Sequence, residues 1–323
     1  MKLSPILLLV TCLAARAETE EQLSKRFVVQ PGGKLVVDVD FGSITVNTNA
    51  TSEVIVDVVR KVTRATKEDE EAYLTDRPVT FSQDGNAVTI SSQGKSKGTG
   101  TSRGRQRTEG KYTITVPAQF SAQLKTAGGA VTVNDLTGDV SANTSGGGLQ
   151  FARLHGPLDG GTSGGAIRVA DCEGAQQVKT SGGGIDVSGG TGSFEGKTSG
   201  GAITVKDFRG GVQIKSNGGG ITVENVAGKI EGSTSGGAIT ARFASPLSEE
   251  VKLATSGGGV TLRVPENSAF DLDASASGGG VKSDLTVNTT DKPSSNRLKG
   301  SVNGGGKPVV LHTSGGGIRV QKL

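Results

Sequence analysis

The sequence predicts an all-β fold: a single-chain parallel β-solenoid (β-helix) with rungs of about 18 residues and an elaborated N-terminal β-rich region. Three observations predict it. A Ser-Gly-Gly motif starts at Ser145, Ser163, Ser181, Ser199 and Ser235, with Asn217 replacing serine once, all in an 18-residue register. Each motif is followed by a short strand of alternating apolar and polar residues. An apolar corner with a glycine two residues later repeats at the same interval.

The strand after each motif carries Val131/Val133, Leu149/Phe151, Ile167/Val169, Ile185/Val187, Ile203/Val205 and Ile221/Val223 on one face. Thr132, Gln150, Arg168, Asp186, Thr204 and Thr222 lie between them. A period of two with one dry face defines a strand packed on one side, and β-branched residues suit it. A second strand precedes each motif, with Phe194, Gly196 and Thr198 on one face and Glu195 and Lys197 on the other. The same parity places Val212, Ile214 and Ser216 against Gln213 and Lys215. Between the strands the corner column reads Leu136, Leu154, Cys172, Phe208 and Val226, interrupted by Gly190, with glycines at 138, 156, 174, 192, 210 and 228.

One rung cannot hide its apolar side, but parallel stacking aligns equivalent positions into a continuous core. Glycine supplies the positive φ that a repeated sharp turn needs. Ten rungs spaced roughly 4.7–4.9 Å apart make a rod on the order of 45–50 Å long. A Gly/Ser-rich chain with only 33% hydrophobic residues would otherwise read as disordered, yet a disordered linker has no reason to keep three apolar columns in register. Later motif starts, Ser256 and Ser277, follow at intervals of 21, and the last stretch, with Asn303 and Ser314, is less regular.

Residues 1–17 read as a secretory signal peptide: Lys2, an apolar run from Ile6 to Val10 too short to span a bilayer, and an Ala15-Arg16-Ala17 cleavage site. Cys12 follows Thr11, a poor context for lipidation. Loss of Lys2 and Arg16 with the leader lowers the formal charge from +4 to +2, which implies no general nucleic-acid affinity. Cys172 is then the one remaining cysteine, so no internal disulfide framework is expected.

Residues 18–26 are polar and read as a tether. Residues 27–125 form the N-terminal β-rich region, continuous with the solenoid, and 126–323 the regular repeats. Leu35, Val37 and Val39 alternate, Gly42 to Val46 resembles a degenerate rung strand, and Val54 to Val62 gives another strand. The acidic segment Thr66 to Asp76 suits a short helix. Phe81 and Val88/Ile90 suggest a hairpin around Asp84-Gly85-Asn86. Residues 91–110 form a flexible basic loop with Lys95, Lys97, Arg103, Arg105 and Arg107. It reads functionally as an anionic contact and plainly as a solvated insertion, and the plain reading is preferred. Val116-Pro117 followed by Phe120 and Leu124 echoes Val264-Pro265 followed by Phe270 and Leu272. A cap is expected at each rod end, because an open rung invites edge pairing.

The repeated Thr-Ser-Gly-Gly-Gly-Ile-x-Val strands, the signal peptide and the terminal run Thr313 to Val320 resemble the bacterial "putative adhesin" family of β-strand-repeat domains of unknown function, related to autotransporter adhesin head domains. The resemblance covers roughly residues 28 to 323. It implies a role at the cell envelope and brings no catalytic residues with it.

The chemistry-bearing residues point the same way, and no catalytic, cofactor or metal residue is assigned. His155 and His312 have no second histidine or cysteine at ligand spacing. Cys172 sits in the apolar corner column and should behave as a small buried hydrophobe, without the partner or exposure a nucleophile needs. Ser145, Ser163 and Ser181 repeat by architecture. A calcium-binding roll would need an aspartate in every rung, and only Asp186 occupies that place.

Lys179, Lys197 and Lys215 are 18 apart and should stack as a ladder, with Glu195 and Glu231 in the neighbouring column. The functional reading is a basic stripe for an anionic polymer such as a polysaccharide; the plain reading, a self-neutralising solvated face, is preferred. Aromatic residues are only 3% and tryptophan is absent, which disfavours tight lectin or single-stranded nucleic-acid binding by ring stacking.

The expected function is a non-enzymatic exported envelope protein, adhesin-like or scaffolding, that binds a partner along its side in the periplasm, at the outer membrane or outside the cell. A β-solenoid carbohydrate-active enzyme (polysaccharide lyase or hydrolase) and an envelope-stress sensing component are the alternatives.

Overall fold

The structure is a computed structural model that describes residues 18–94, 107–289 and 294–323. The proposed leader with Cys12, and Lys95, Lys97, Arg103 and Arg105 of the basic loop, lie outside the described residues. The described residues form strands and one short helix, and the chain divides into two compact units, up to Gln150 and from Phe151 onward.

The first unit contains β1 (Thr19–Val28), β2 (Gly33–Val39), β3 (Ser43–Asn49), β4 (Glu53–Thr63), α1 (Lys67–Asp76), β5 (Thr80–Asp84), β6 (Ala87–Ser92), β7 (Arg107–Pro117), β8 (Phe120–Thr126), β9 (Val131–Asn134) and β10 (Val140–Thr144). One sheet runs β1-β4-β7-β3-β9 and the other β10-β8-β2-β6-β5. Alternation buries Leu35, Val37, Ile44, Val46, Val88, Ile90, Ile114 and Leu124 between them. The helix and the β5–β6 hairpin fall where the sequence places them. Thr66 caps the helix by accepting from Asp69 N–H at 3.1 Å, and Gly85 turns the hairpin with φ of 54°.

The expected tether over residues 18–26 is corrected to a strand. β1 pairs antiparallel with β4 from Thr19↔Val62 to Val28↔Glu53. The cause is a buried guanidinium. Arg60 projects inward from β4 with no exposure, its Nε lies 2.6 Å from Glu21 Oε2, and its Nη1 donates to the carbonyl of Arg77 at 2.5 Å and to Ser92 Oγ at 3.3 Å. A buried charge requires a partner, and β1 supplies it. Glu70, also buried, accepts from Thr19 Oγ1 at 2.7 Å and from Arg64 N–H at 2.9 Å, tying the helix to the same strand.

β11 (Leu149–Ala152) spans the division. The second unit holds β12 (Leu158–Thr162), β13 (Ile167–Ala170), β14 (Glu173–Thr180), β15 (Ile185–Ser188), β16 (Thr191–Thr198), β17 (Ile203–Lys206), β18 (Arg209–Ser216), β19 (Ile221–Glu224), β20 (Ile230–Thr234), β21 (Ile239–Arg242), β22 (Val251–Thr255) and β23 (Val260–Val264). The chain continues through β24 (Phe270–Ala276), β25 (Val281–Ser283), β26 (Val287–Thr289), β27 (Arg297–Val302), β28 (Lys307–Thr313) and β29 (Ile318–Lys322). The odd strands from β13 to β23, then β29 and β25, form one sheet; the even strands from β12 to β22, then β28, β24, β27 and β26, form the other. The register is the 18-residue repeat itself: Ile167, Ile185, Ile203, Ile221 and Ile239 pair in succession. All five are buried, each worth roughly 1.5–3 kcal/mol relative to exposure.

Small and large residues alternate down the inner column of the second sheet, where Gly160, Val178, Gly196, Ile214, Gly232 and Leu253 align. The rings of Phe151 and Phe194 occupy the space above Gly160 and Gly196, where an added Cβ would lie 3.0 and 2.8 Å from them. The corner glycines at 138, 156, 174, 192, 210 and 228 have φ between 108° and 156°, as the sequence leads one to expect. Three residues before each, a second left-handed column that the sequence reading does not anticipate contains Asp135, Arg153, Asp171, Asp207 and Asn225 at φ of 51–59° and Gly189 at 68°.

The Ser-Gly-Gly motif needs glycine for another reason, the close passage of one rung over the next. It is stitched by a buried hydroxyl: Thr198 Oγ1 donates to the carbonyl of Gly183 in the preceding rung at 2.8 Å and accepts from Gly201 N–H at 3.2 Å. Thr180, Ser216, Thr255 and Thr313 repeat this pair of bonds.

Candidate functional site

The outward face of the second unit's even-strand sheet presents the expected ladder. Lys179, Lys197 and Lys215 are direct neighbours in register, and all three are exposed. The rung spacing of roughly 4.7–4.9 Å makes this a ridge of like charge about 10 Å long. Lys197 is paired with Glu195 on its own strand, whereas Lys179 and Lys215 have no carboxylate partner among the described residues.

Beside the ladder runs the column Gln177, Glu195, Gln213, Glu231 and Lys252, closed by a Glu231–Lys252 pair at 3.7 Å. Lys229 and Glu250 pair at 2.8 Å, and each pulls the other's titration in the direction that keeps both charged. The face is therefore mixed in sign, with two lysines left over. Exposed pairs of this kind add little stability, so the arrangement matters for solubility and contact rather than folding.

Arg107, the one described arginine of the basic loop's trio, opens β7. Its guanidinium lies 2.5 Å from Glu109, and its carbonyl accepts from Arg64. It belongs to the first unit and not to the unit of the ladder.

Cys172 is buried with Leu154, Phe208 and Val226, its Sγ 3.4 Å from the carbonyl of Ala170, and burial pushes its thiol pKa up. Both effects suppress the thiolate. A maleimide is expected to label Cys172 at the rate of global unfolding and to go to completion in denaturant; rapid labelling of the folded chain at pH 8 would contradict the corner assignment. His155 Nδ1 lies 3.0 Å from Glu173 Oε2, and His312 Nδ1 lies 3.0 Å from Ser275 Oγ, each an exposed neighbour one register step away. Among the described residues no three His, Cys, Asp or Glu side chains come together as metal ligands.

One feature passes unnoticed in the sequence. The three extra residues of the first 21-residue interval form a bulge over 243–250 that shelters a cavity of about 160 Å³, lined by Val226, Phe243, Leu247 and Val251 with Asn225 and Glu249 at its polar side. Its single carboxylate, Glu249, pairs with Lys307 at 3.5 Å. The lengthened interval was the available signal.

No helix among the described residues is long and apolar enough to cross a membrane. The sequence model of the family described as Toastrack DUF4097 matches residues 34–321. No curated protein was found to match the chain. Among solved structures, the chain is similar to a putative adhesin from Bacteroides fragilis NCTC 9343, at 12% identity over 94% of this chain and 97% of that one with a TM-score of 0.33. A putative adhesin from Parabacteroides distasonis ATCC 8503 has 12% identity, 94% and 97% coverage and a TM-score of 0.37. A protein from the same organism named a putative lipid binding protein has 12% identity, 94% and 96% coverage and a TM-score of 0.39.

Proposed function

The chain belongs to the Toastrack DUF4097 family, and from that premise we propose that it is a non-enzymatic exported envelope protein, adhesin-like or scaffolding, that holds an anionic polysaccharide along the lysine face of its solenoid. The observation that carries the reading is the ladder Lys179–Lys197–Lys215, in which two of three cations have no carboxylate partner among the described residues. A flexible polymer with regularly spaced carboxylates matches a ridge with a fixed rung repeat, and neutralising stacked like charges favours the bound state.

Two further points support it. Glycoside cleavage by hydrolysis uses two carboxylates flanking the bond, and the 243–250 cavity offers Glu249 alone, already paired. The leader read from the sequence at residues 1–17 supports export to the envelope, where such polymers occur.

Binding to polygalacturonate, measured by titration calorimetry at low and at 0.3 M salt, tests the proposal. Wild-type affinity is expected to fall with salt, and the Lys179→Ala/Lys197→Ala/Lys215→Ala variant to bind about tenfold more weakly. Unchanged affinity in the triple variant removes the ladder from the binding surface. Release of shortened sugar products, abolished by an Asp or Glu substitution, would replace the reading with the enzyme one.

A further inference from the structure

The rungs of the second unit do not stack in the order in which the chain makes them. β22 does not pair with β24, nor β23 with β25. The last two strands of the chain lie between them: β28 pairs parallel with β22 on one edge and with β24 on the other, and β29 does the same with β23 and β25. After Val264-Pro265 the chain jumps one rung, builds β24 and β25, and returns through β26 and β27 to fill the vacancy with its C-terminal residues.

The first unit contains the counterpart. β2 and β3 are flanked by β6 and β7 on one side and by β8 and β9 on the other, and the jump from β7 to β8 occurs at Val116-Pro117. The sequence echo between Val116-Pro117 and Val264-Pro265 thus marks the two places where the chain skips a rung. The N-terminal rung exists before its jump is made. The C-terminal one is made last and must enter a slot that is already bounded on both sides.

That slot is specific in register and ordinary in composition. Val251, Val309 and Leu272 align across it, as do Leu253, Leu311 and Ala274, and Thr313 donates to the carbonyl of Gly258 at 2.6 Å just as the other threonines serve their rungs. The inserted segment ends in Thr-Ser-Gly-Gly-Gly-Ile-Arg-Val, the repeat consensus. It hangs on one short connection, Asn303 to Gly306, in which Asn303, Gly304 and Gly305 have φ of 48°, 90° and 82°. Without it, four strand edges stand open in facing pairs, the condition under which strands pair with another chain.

We propose that residues 307–322 are an exchangeable rung and that the partner of this slot is a second copy of the chain, whose C-terminal rung fills it in trans. The exchange preserves every ladder hydrogen bond and every buried contact of the rung and alters only the conformation of residues 303–306. That is the circumstance in which strand exchange has a low thermodynamic cost. The segment length, the consensus sequence and the matched register all identify the occupant as this chain's own rung. The inference is independent of the polysaccharide reading.

Cysteine pairs test it in the full chain. Lys252→Cys/Val310→Cys joins β22 to β28, positions directly opposite each other across the slot. Lys215→Cys/Ser233→Cys joins two rungs consecutive in the chain and serves as the folding control. After refolding over a range of protein concentrations and treatment with a short bis-maleimide, denaturing gels separate links within a chain from links between chains. The 252/310 pair is expected to give covalent dimers whose fraction rises with refolding concentration, while the 215/233 pair links only within the chain. In the 252/310 background, Gly304→Ala should raise the interchain fraction severalfold. An added Cβ there meets nothing within 4 Å, so only the positive φ of the closed hinge is penalised. Intrachain product alone at every concentration, or an interchain fraction indifferent to Gly304→Ala, overturns the proposal.

Discussion

Gly201→Ala is expected to destabilise the second unit by at least about 3 kcal/mol, while Gly200→Ala, one residue away in the same motif, is expected to change stability by less than about 1 kcal/mol. A Cβ on Gly201 would lie 2.5 Å from Gly184 N and closer still to the carbonyl of Gly183, which is itself the acceptor for Thr198. The obstructing atoms are backbone, so relief requires parting two rungs and lengthening their ladder bonds. A Cβ on Gly200 would come no nearer than 3.4 Å to Gly182 O, an ordinary contact, and the substitution stiffens the unfolded chain. Urea unfolding followed by far-ultraviolet circular dichroism distinguishes the two. Equal losses would mean that both glycines serve the turn alone, and the close-stacking account would be wrong.

Arg60→Met is expected to cost roughly 2–4 kcal/mol and to release the N-terminal strand. Methionine fills much of the volume but removes the donor to Glu21 and the closer of two donors to the carbonyl of Arg77, which keeps Ser92 Oγ at 3.3 Å. The figure sits below that for a fully buried pair because Glu21 keeps about a quarter of its side-chain exposure, 26%. The effect should be local. Amide exchange should accelerate in β1 and at the start of α1, where Glu70 loses the anchored Thr19, and trypsin should gain access after Lys25 and Arg26. The repeats beyond Phe151 should keep their protection. Undiminished protection of β1 would show that its pairing with β4 needs no buried ion pair.

Much of the architecture was legible in the residues, because in a stacked rung the spacing of a motif equals its spatial register. The 18-residue interval predicted that Ile185 lies beside Ile203, that Cys172 is buried in a corner and that the three lysines form a ladder. Parity along each strand predicted which side chains face water. Three features were not legible. β1 contains only Leu23 and Phe27 as alternating apolar residues before its last position, and its stabilising partner, Arg60, is 39 positions away in sequence. The left-handed column is mostly Asp and Asn, the residue types that tolerate that conformation, but Arg153 and Gly189 interrupt it and blur the repeat. At the candidate site, spacing located the lysines, but which of them binds a carboxylate depends on side-chain reach, and among the described residues Lys197 alone does.

What the sequence determined by itself was the rung: its length, its two strands, its dry face and the glycines at its turns. These depend on local stereochemistry and on the burial of one face, both of which repeat identically in every copy. What only the tertiary structure decided was the order of rungs at the chain ends and the sealing of the N-terminal strand. Rungs of one consensus fit each other's neighbours almost equally well, so nothing in a rung states which copy lies beside it. The choice falls to connection lengths, the Val-Pro jumps and a buried arginine, whose effects appear only when distant parts of the chain are brought together.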